Sequence, residues 1–208
     1  MNAVFIAGTD TGIGKTHVAA SLIHALRQAG RHPAGMKPVA SGCLETPAGL
    51  RNEDALALIA AAGGDLPYAL VNPASCREPL SPHLAARHAG VTLGLEPLTA
   101  AFETLRAGHD SVVVEGIGGW LVPLAPGFFA ADLPRAWHLP VILVVGMRLG
   151  CLNHAQLSAR AIQADGCHLA GWIANRIDPS PPSPERSAAP RSSRAARSGR
   201  GARWAKRP

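Results

Sequence analysis

The sequence is poor in cysteine and in long apolar runs, and each shortage excludes a class of protein. Only four of the 208 residues are cysteine and none forms a Cys-x-x-Cys pair, which argues against zinc ribbons and dithiol redox motifs. The nine histidines form no His-Glu-x-x-His or similar metal-ligand spacing. The longest apolar stretch, around 141–147, is far shorter than the roughly 20 residues that span a bilayer. No signal peptide precedes the first predicted strand, so we expect free thiols in a soluble, cytoplasmic protein.

Positive charge is concentrated near the end of the chain. The formal net charge is +6, but residues 179–208 contain eight Lys and Arg against one acid, Glu185. Residues 1–178 therefore keep 12 basic and 13 acidic residues out of totals of 20 and 14, which is nearly neutral. We expect one α/β domain at 1–178, and at 179–208 a basic Pro/Arg/Ser/Ala-rich tail that is disordered. The neutral domain argues against a specific nucleic-acid partner, and nothing indicates a membrane partner.

Apolar runs alternate with helical patterns along the domain, which predicts a mostly parallel sheet with helices on both faces. Ligands bind such sheets at the carboxyl ends of the strands. Residues 66–95 contain four prolines and predict an irregular wall or lid with one short helix at 82–89. The strands are predicted at 3–7, 35–39, 111–114, 141–145 and 169–174, and the helices at 15–29, 53–62, 96–107 and 153–164.

A phosphate-binding loop is the strongest signal in the chain. The segment Gly-Thr-Asp-Thr-Gly-Ile-Gly-Lys-Thr at 8–16 follows the first predicted strand and opens the first predicted helix. In such a loop backbone N–H groups surround phosphate oxygens, Lys15 reaches the β and γ phosphates, and the Thr16 hydroxyl can ligate Mg²⁺. Five residues rather than the usual four separate Gly8 from Gly14, and this spacing restricts the P-loop families to which the chain can belong. The loop predicts a P-loop NTPase-like fold that binds a nucleoside triphosphate.

Three charged residues follow or precede other predicted elements, and each has two interpretations. Lys37 ends the second predicted strand, where it points at the phosphate site or is an ordinary surface lysine. Asp54 begins a helix, where it holds a metal, or caps the helix or complements its dipole. Glu115 ends a buried strand before Gly-Ile-Gly-Gly, a Walker-B-like position that suits a Mg²⁺ ligand, with a structural role as the alternative. The helix start at 150–153 can capture a carboxylate or phosphate, or Asn153 simply caps it.

Taken together, these segments resemble the dethiobiotin synthetase family over about residues 3–178. Besides the phosphate loop, the resemblance rests on Lys-Pro-Val-Ala-Ser-Gly at 37–42, Arg-Asn-x-Asp-Ala-Leu at 51–56 and Val-Asn-Pro at 71–73. It also rests on Ser-Pro-His at 81–83, Val-Glu-Gly-x-Gly-Gly-Trp at 114–120 and Leu-Gly-Cys-x-Asn-His at 149–154. Several motifs in the right order are far more specific than the phosphate loop alone.

The resemblance implies an ATP-dependent ligase that closes a ureido ring in biotin synthesis. Its members convert 7,8-diaminopelargonate, CO₂ and MgATP to dethiobiotin, ADP and phosphate. The resemblance implies that Lys15 and Lys37 are catalytic and that Thr16, Asp54 and Glu115 hold Mg²⁺. The nucleotide site comprises Gly12, Ile13, Gly14, Lys15, Thr16, His17, Asp54, Glu115, Gly116, Ile117, Gly118, Asn175 and Arg176. The diamine site comprises Thr11, Lys37, Ser41 and Gly118, together with Gly150, Cys151 and Asn153 from the partner subunit of a homodimer.

The tail is the main departure from the family pattern, because nothing after Pro179 matches the family's continuation along the adenine. The alternative function is therefore a folded but catalytically impaired member that binds substrate or nucleotide weakly. A partition-type ATPase switch has the same general fold but carries a signature lysine early in its phosphate loop. Residues 9–11 supply none, which disfavours that interpretation.

Overall fold

A computed structural model describes residues 3–177, so the predicted tail at 179–208 lies outside the described residues. No helix in this range has both the length and the apolar character that crossing a bilayer requires. The strands are β1 (Ala3–Gly8), β2 (Pro33–Met36), β3 (Val39–Ala40), β4 (Leu44–Thr46), β5 (Gly49–Arg51), β6 (Ala74–Ser75), β7 (Ser111–Glu115), β8 (Pro123–Ala125), β9 (Phe128–Phe129), β10 (Val141–Gly146) and β11 (Leu169–Asn175). The helices are α1 (Lys15–Gln28), α2 (Glu53–Ala62), α3 (Tyr68–Val71), α4 (Pro82–His88), α5 (Leu95–Gly108), α6 (Asp132–Ala136) and α7 (Cys151–Ala164).

A five-stranded parallel sheet in the order β11-β10-β1-β7-β2 forms the centre of the fold. Strand β1 is buried along its whole length, as expected for an apolar run covered on both faces. Ile6 packs on one face with Ile23 and Leu58 from α1 and α2. Phe5 packs on the other face in a larger cluster that includes Phe102 of α5. This arrangement confirms the predicted α/β class with helices on both sides of the sheet.

The second predicted strand, at 35–39, is wrong as a single element. Strand β2 ends at Met36, and Val39–Ala40 instead pairs with β6 outside the main sheet. Pro38 explains the break because it has no N–H to extend a ladder. The N–H of Lys37 donates to the carbonyl of Val71 at 2.7 Å, so the chain already leaves the sheet there.

Short elements outside the main sheet also differ from the expectation. The segment 66–95 contains α3 and β6 as well as the predicted short helix α4. Helix α7 begins at Cys151, so Asn153 lies in its first turn and does not cap it. Two small hairpins, β4–β5 and β8–β9, have no apolar periodicity of their own and were not predicted. The segment 79–82 lies at the carboxyl end of the sheet, where the polar motifs meet, whereas Phe128 of β9 lies with Pro140 and His168, just before β10 and β11.

Candidate active site

The phosphate loop connects β1 to α1 and leaves the start of that helix open to a ligand. Gly14 precedes the helix at φ +87°, a left-handed conformation that favours glycine, and offers no side chain as a cap. The first turn of α1 contains no acidic residue, so its N–H groups and dipole remain available to an anion. A Cβ at Gly14 would collide with the amide of Asn175. That amide donates to the carbonyl of Ile13 at 2.8 Å, so the end of β11 is attached to the loop.

Lys15 bends back over its own loop. Its Nζ donates to the Asp10 carbonyl oxygen at 2.7 Å, and only 6 % of the residue is exposed. Burial, together with the nearby charge of Lys37, lowers the pKa of Lys15 to about 8, against the opposing carboxylates of Glu115 and Asp54. An anion that approached this ammonium would restore its charge.

Lys37 is the centre of a buried ion cluster, so its interpretation as a surface lysine is wrong. Its Nζ lies 2.7 Å from Glu115 Oε1 and 2.8 Å from Asp54 Oδ2, and it donates to the Gly116 carbonyl at 3.3 Å. Lys37 and Glu115 are 3 % and 1 % exposed. Burial opposes the charge on Lys37, but the two carboxylates outweigh burial and raise its pKa. The protein therefore holds a fully charged lysine beside the phosphate loop.

Asp54 and Glu115 meet at the hydroxyl of Thr16. Thr16 Oγ1 lies 2.7 Å from Asp54 Oδ1 and 2.8 Å from Glu115 Oε1. The capping interpretation of Asp54 is wrong, because the Asn52 side chain caps α2 by accepting from the Ala55 N–H at 3.2 Å. Burial acts to raise the pKa of Asp54, but Lys37 and Thr16 lower it overall. Burial raises the pKa of Glu115, against the attraction of Lys37.

The donor set at this point fits a divalent cation. Two carboxylates and one hydroxyl within hydrogen-bond distance of each other are the oxygen ligands that Mg²⁺ prefers. Glu115 Oε2 is buried and has no hydrogen-bond partner among the described residues. An orphaned buried carboxylate oxygen is costly, and coordination of a cation would satisfy it. Residues 3–177 contain no group of three or more His, Cys, Asp and Glu side chains placed as a metal site, and this position offers two carboxylates with a hydroxyl.

These groups line a cavity of about 870 Å³ at the carboxyl end of the sheet. The predicted wall is confirmed in part, since the segment Pro79–Pro82 contributes to the cavity. Sequence reasoning named no individual binding residue in that segment and gave no site role to Asn52, although Ser81, Pro82 and Asn52 belong to motifs that carry the resemblance. The predicted site residues that line the cavity are Thr11, Gly12, Gly14, Lys15, Thr16, His17, Lys37, Ser41, Asp54, Glu115, Ile117 and Gly118.

The other predicted site residues lie outside this cavity. Ile13 and Gly116 belong to its supporting backbone, and Arg176 follows Asn175 after the end of β11. The segment 150–153 starts α7 without lining the cavity: Cys151 is buried, and its N–H donates to the Arg148 carbonyl at 3.0 Å. Asn153 is exposed. An ion pair between Arg148 and Asp10 nevertheless joins this segment to the phosphate loop.

Comparison with solved structures supports the fold. The kinase domain of Escherichia coli tyrosine kinase ETK superposes with a TM-score of 0.52 at 16% identity, covering 96% of this chain and 72% of that one. A ParA family ATPase from Chlorobium tepidum TLS superposes with a TM-score of 0.52 at 17% identity, covering 86% of this chain and 75% of that one. At such identities the likeness concerns the P-loop architecture alone.

Comparison of sequences shows the family. A family model described as an AAA domain matches residues 2–198. The ATP-dependent dethiobiotin synthetase BioD of Xanthomonas oryzae pv. oryzae (strain PXO99A) is 59% identical over 177 residues, covering 85% of this chain and 79% of the relative. The enzyme of the same name from Xylella fastidiosa (strain 9a5c) is 56% identical over 179 residues, covering 86% and 79%. The chain therefore belongs to the ATP-dependent dethiobiotin synthetase family.

Proposed function

We propose that this chain uses ATP to close the ureido ring of dethiobiotin from 7,8-diaminopelargonate and CO₂, with release of ADP and phosphate. One observation carries the proposal: two buried lysines, two carboxylates and a phosphate loop converge in one cavity. The reaction requires a carbamate, formed from one substrate amine and CO₂, to attack the γ-phosphorus. The second amine then displaces phosphate from the resulting anhydride and closes the ring. Every stage carries negative charge that the two lysines can offset.

The two lysines have different roles because they lie at different positions in the site. Lys15 opens α1, where the helix N–H groups and its ammonium together bind the β and γ phosphates. Lys37 is held by Glu115 and Asp54 in the same cavity, where its ammonium would neutralise negative charge on the carbamate and the transferring phosphoryl group. Because both lysines are almost fully buried, they act in a medium where their charges are screened less than in water.

Thr16, Asp54 and Glu115 are the residues that would hold Mg²⁺ in this proposal. The unsatisfied Glu115 Oε2 and the shared Thr16 hydroxyl support that role. Bound Mg²⁺ would neutralise part of the negative charge of the phosphates. The Thr16 hydroxyl lies within hydrogen-bond distance of both carboxylates and donates its one proton to either, which keeps their oxygens close together.

The diamine is placed by Thr11, Ser41 and the Gly118 backbone, which face the same cavity. Its carboxylate is assigned to the segment 150–153 of a second copy in a homodimer. Exposed leucines beside that segment support such a dimer, because Leu149 is 97% and Leu152 67% exposed.

We expect Leu152→Asp to shift sedimentation from dimer to monomer and to raise the KM for the diamine; an unchanged dimer would contradict this assignment. The cytoplasmic location stays a prediction from the sequence.

The decisive test is ADP release by the full-length chain with MgATP, with and without both 7,8-diaminopelargonate and bicarbonate. Release that requires both substrates supports the proposed ligase. Folded protein that binds an ATP analogue but releases no ADP would contradict it and would favour an impaired nucleotide-binding member. Lys37→Met serves as the inactive control, since it removes one of the two ammonium groups.

A further inference from the structure

The side-chain amide of Asn72 joins two segments of the site, although no step of the proposed reaction uses it. Asn72 is 3% exposed, and its Nδ2 donates to the Lys37 carbonyl at 2.6 Å and the Ala74 carbonyl at 3.4 Å. Its Oδ1 accepts from the hydroxyls of Tyr68 at 2.9 Å and Ser75 at 2.6 Å. Both donors and both acceptor positions of the amide are therefore occupied, which fixes its orientation.

Lys37 needs this support because of where it lies in the sheet. Strand β2 is at the edge of the five-stranded order, and Lys37 follows its last residue. Pro38 cannot donate to a ladder, so no strand neighbour fixes the Lys37 peptide. The Val71 carbonyl binds its N–H at 2.7 Å and Asn72 binds its carbonyl. The residue pair 71–72 thus replaces the missing sheet partner for the backbone of Lys37.

Tyr68 extends the same network to the helix that carries Asp54. Its hydroxyl accepts from the backbone N–H of Asn52 at 2.7 Å while it donates to Asn72. Asn52 is the N-cap of α2, and Asp54 is the second residue of that helix. The guanidinium of Arg51 lies 4.2 Å from the centre of the Tyr68 ring, which restrains the ring further. A single chain of hydrogen bonds therefore runs from the Lys37 peptide to the start of α2.

We propose that Asn72 and Tyr68 are positioning residues that fix the Lys37 ammonium relative to the Asp54 carboxylate. The inference rests on the proposed function, since it assigns work to the same lysine and the same carboxylate. Neither residue touches the cavity; both act through the backbone of the residues that do. A buried, fully bonded network of this kind holds its neighbours within the small tolerance that phosphoryl transfer requires.

The first test is Tyr68→Phe, which keeps the ring over Arg51 and removes only the hydroxyl. We expect kcat to fall about tenfold in the folded variant, in the range found when the supporting partners of ligating groups are removed. Calorimetry with and without Mg²⁺ measures how much the ion increases the affinity for a non-hydrolysable ATP analogue. We expect this increase, the Mg²⁺ gain, to fall by a similar factor, because Asp54 is displaced. Asn72→Ala should have the larger effect on both quantities, since it releases Lys37 as well.

Thr99→Val is the matched control, because the Thr99 hydroxyl also makes two hydrogen bonds, to Leu95 and Trp137, away from the site. Its kcat and Mg²⁺ gain should stay at the wild-type values. Equal losses in this control, or folded Tyr68→Phe and Asn72→Ala proteins that retain the wild-type kcat and Mg²⁺ gain, would overturn the proposal. If the wild type releases no ADP with both substrates, the proposed ligase fails, whereas the calorimetric comparison still decides the positioning role.

Discussion

Replacement of Lys37 by methionine tests the buried ion cluster most directly. The ammonium lies 2.7 Å from Glu115 and 2.8 Å from Asp54, and at an effective dielectric constant of about 20 each attraction is about 6 kcal/mol before desolvation. Desolvation cancels much of that sum. What remains in the variant is a buried Glu115 without its cation, and such losses cost about 3–5 kcal/mol. For a domain of this size the melting temperature should fall by about 10 °C.

The assay is thermal and urea unfolding at pH 8 in the presence of a chelator. The loss should shrink on acidification: Glu115 in the folded variant has a raised pKa, so stability lost at high pH returns as the carboxyl takes up a proton. Adding Glu115→Gln to Lys37→Met should recover most of the stability, because neither member of the most deeply buried pair then carries a charge.

Arg106→Met provides the control. Its ion pair with Glu103 lies on the surface, with the two side chains 52% and 46% exposed, so its removal should change stability by less than about 0.5 kcal/mol. A Lys37→Met protein within about 1 kcal/mol of the wild type at pH 8 would refute the reasoning. It would mean that water or rearrangement satisfies Glu115 without the lysine.

Two further predictions concern the phosphate loop. Because the pKa of Lys15 is about 8, binding of a non-hydrolysable ATP analogue at pH 8.5 should take up about 0.7 proton, against about 0.1 at pH 7. Calorimetry in two buffers of different ionisation enthalpy measures this uptake, and equal values at both pH values would contradict the shift. Gly12→Ala should cost about 1 kcal/mol for its left-handed φ alone, whereas Gly14→Ala adds a collision with Asn175 and should cost at least about twice as much in urea unfolding.

The central sheet was predictable because its strands are apolar on both faces and punctuated by glycine and polar residues. The phosphate loop was equally clear, since its residue types are dictated by backbone N–H groups that must face phosphate. By contrast, the break after Met36 depends on Pro38 and on a hydrogen bond to Val71, which lies 34 residues later in the chain. The hydrophobic pattern of a short segment carries no information about contacts between residues so far apart in the sequence.

The states of the charged residues also required the three-dimensional arrangement. In isolation Lys37 suited a solvated surface and Asp54 suited a helix cap, and only the fold shows that Lys37 is buried and bonds to both Asp54 and Glu115. Asn52 rather than Asp54 caps α2, a choice that depends on which of two neighbouring side chains turns back onto the helix. Most of the groups that the family resemblance names line one cavity, but the network through Asn72 and Tyr68 is visible only in the fold.

The balance of charge inside the cavity has a consequence for how fast a nucleotide arrives. Lys15 and Lys37 are offset by Asp54 and Glu115, and Arg148 is offset by Asp10 of the phosphate loop. The fields of these groups largely cancel beyond the Debye length of about 8 Å, so the cavity exerts little pull on a distant anion. The charges of the site itself therefore add little to the rate constant for association with ATP and little to the dependence of that rate constant on ionic strength.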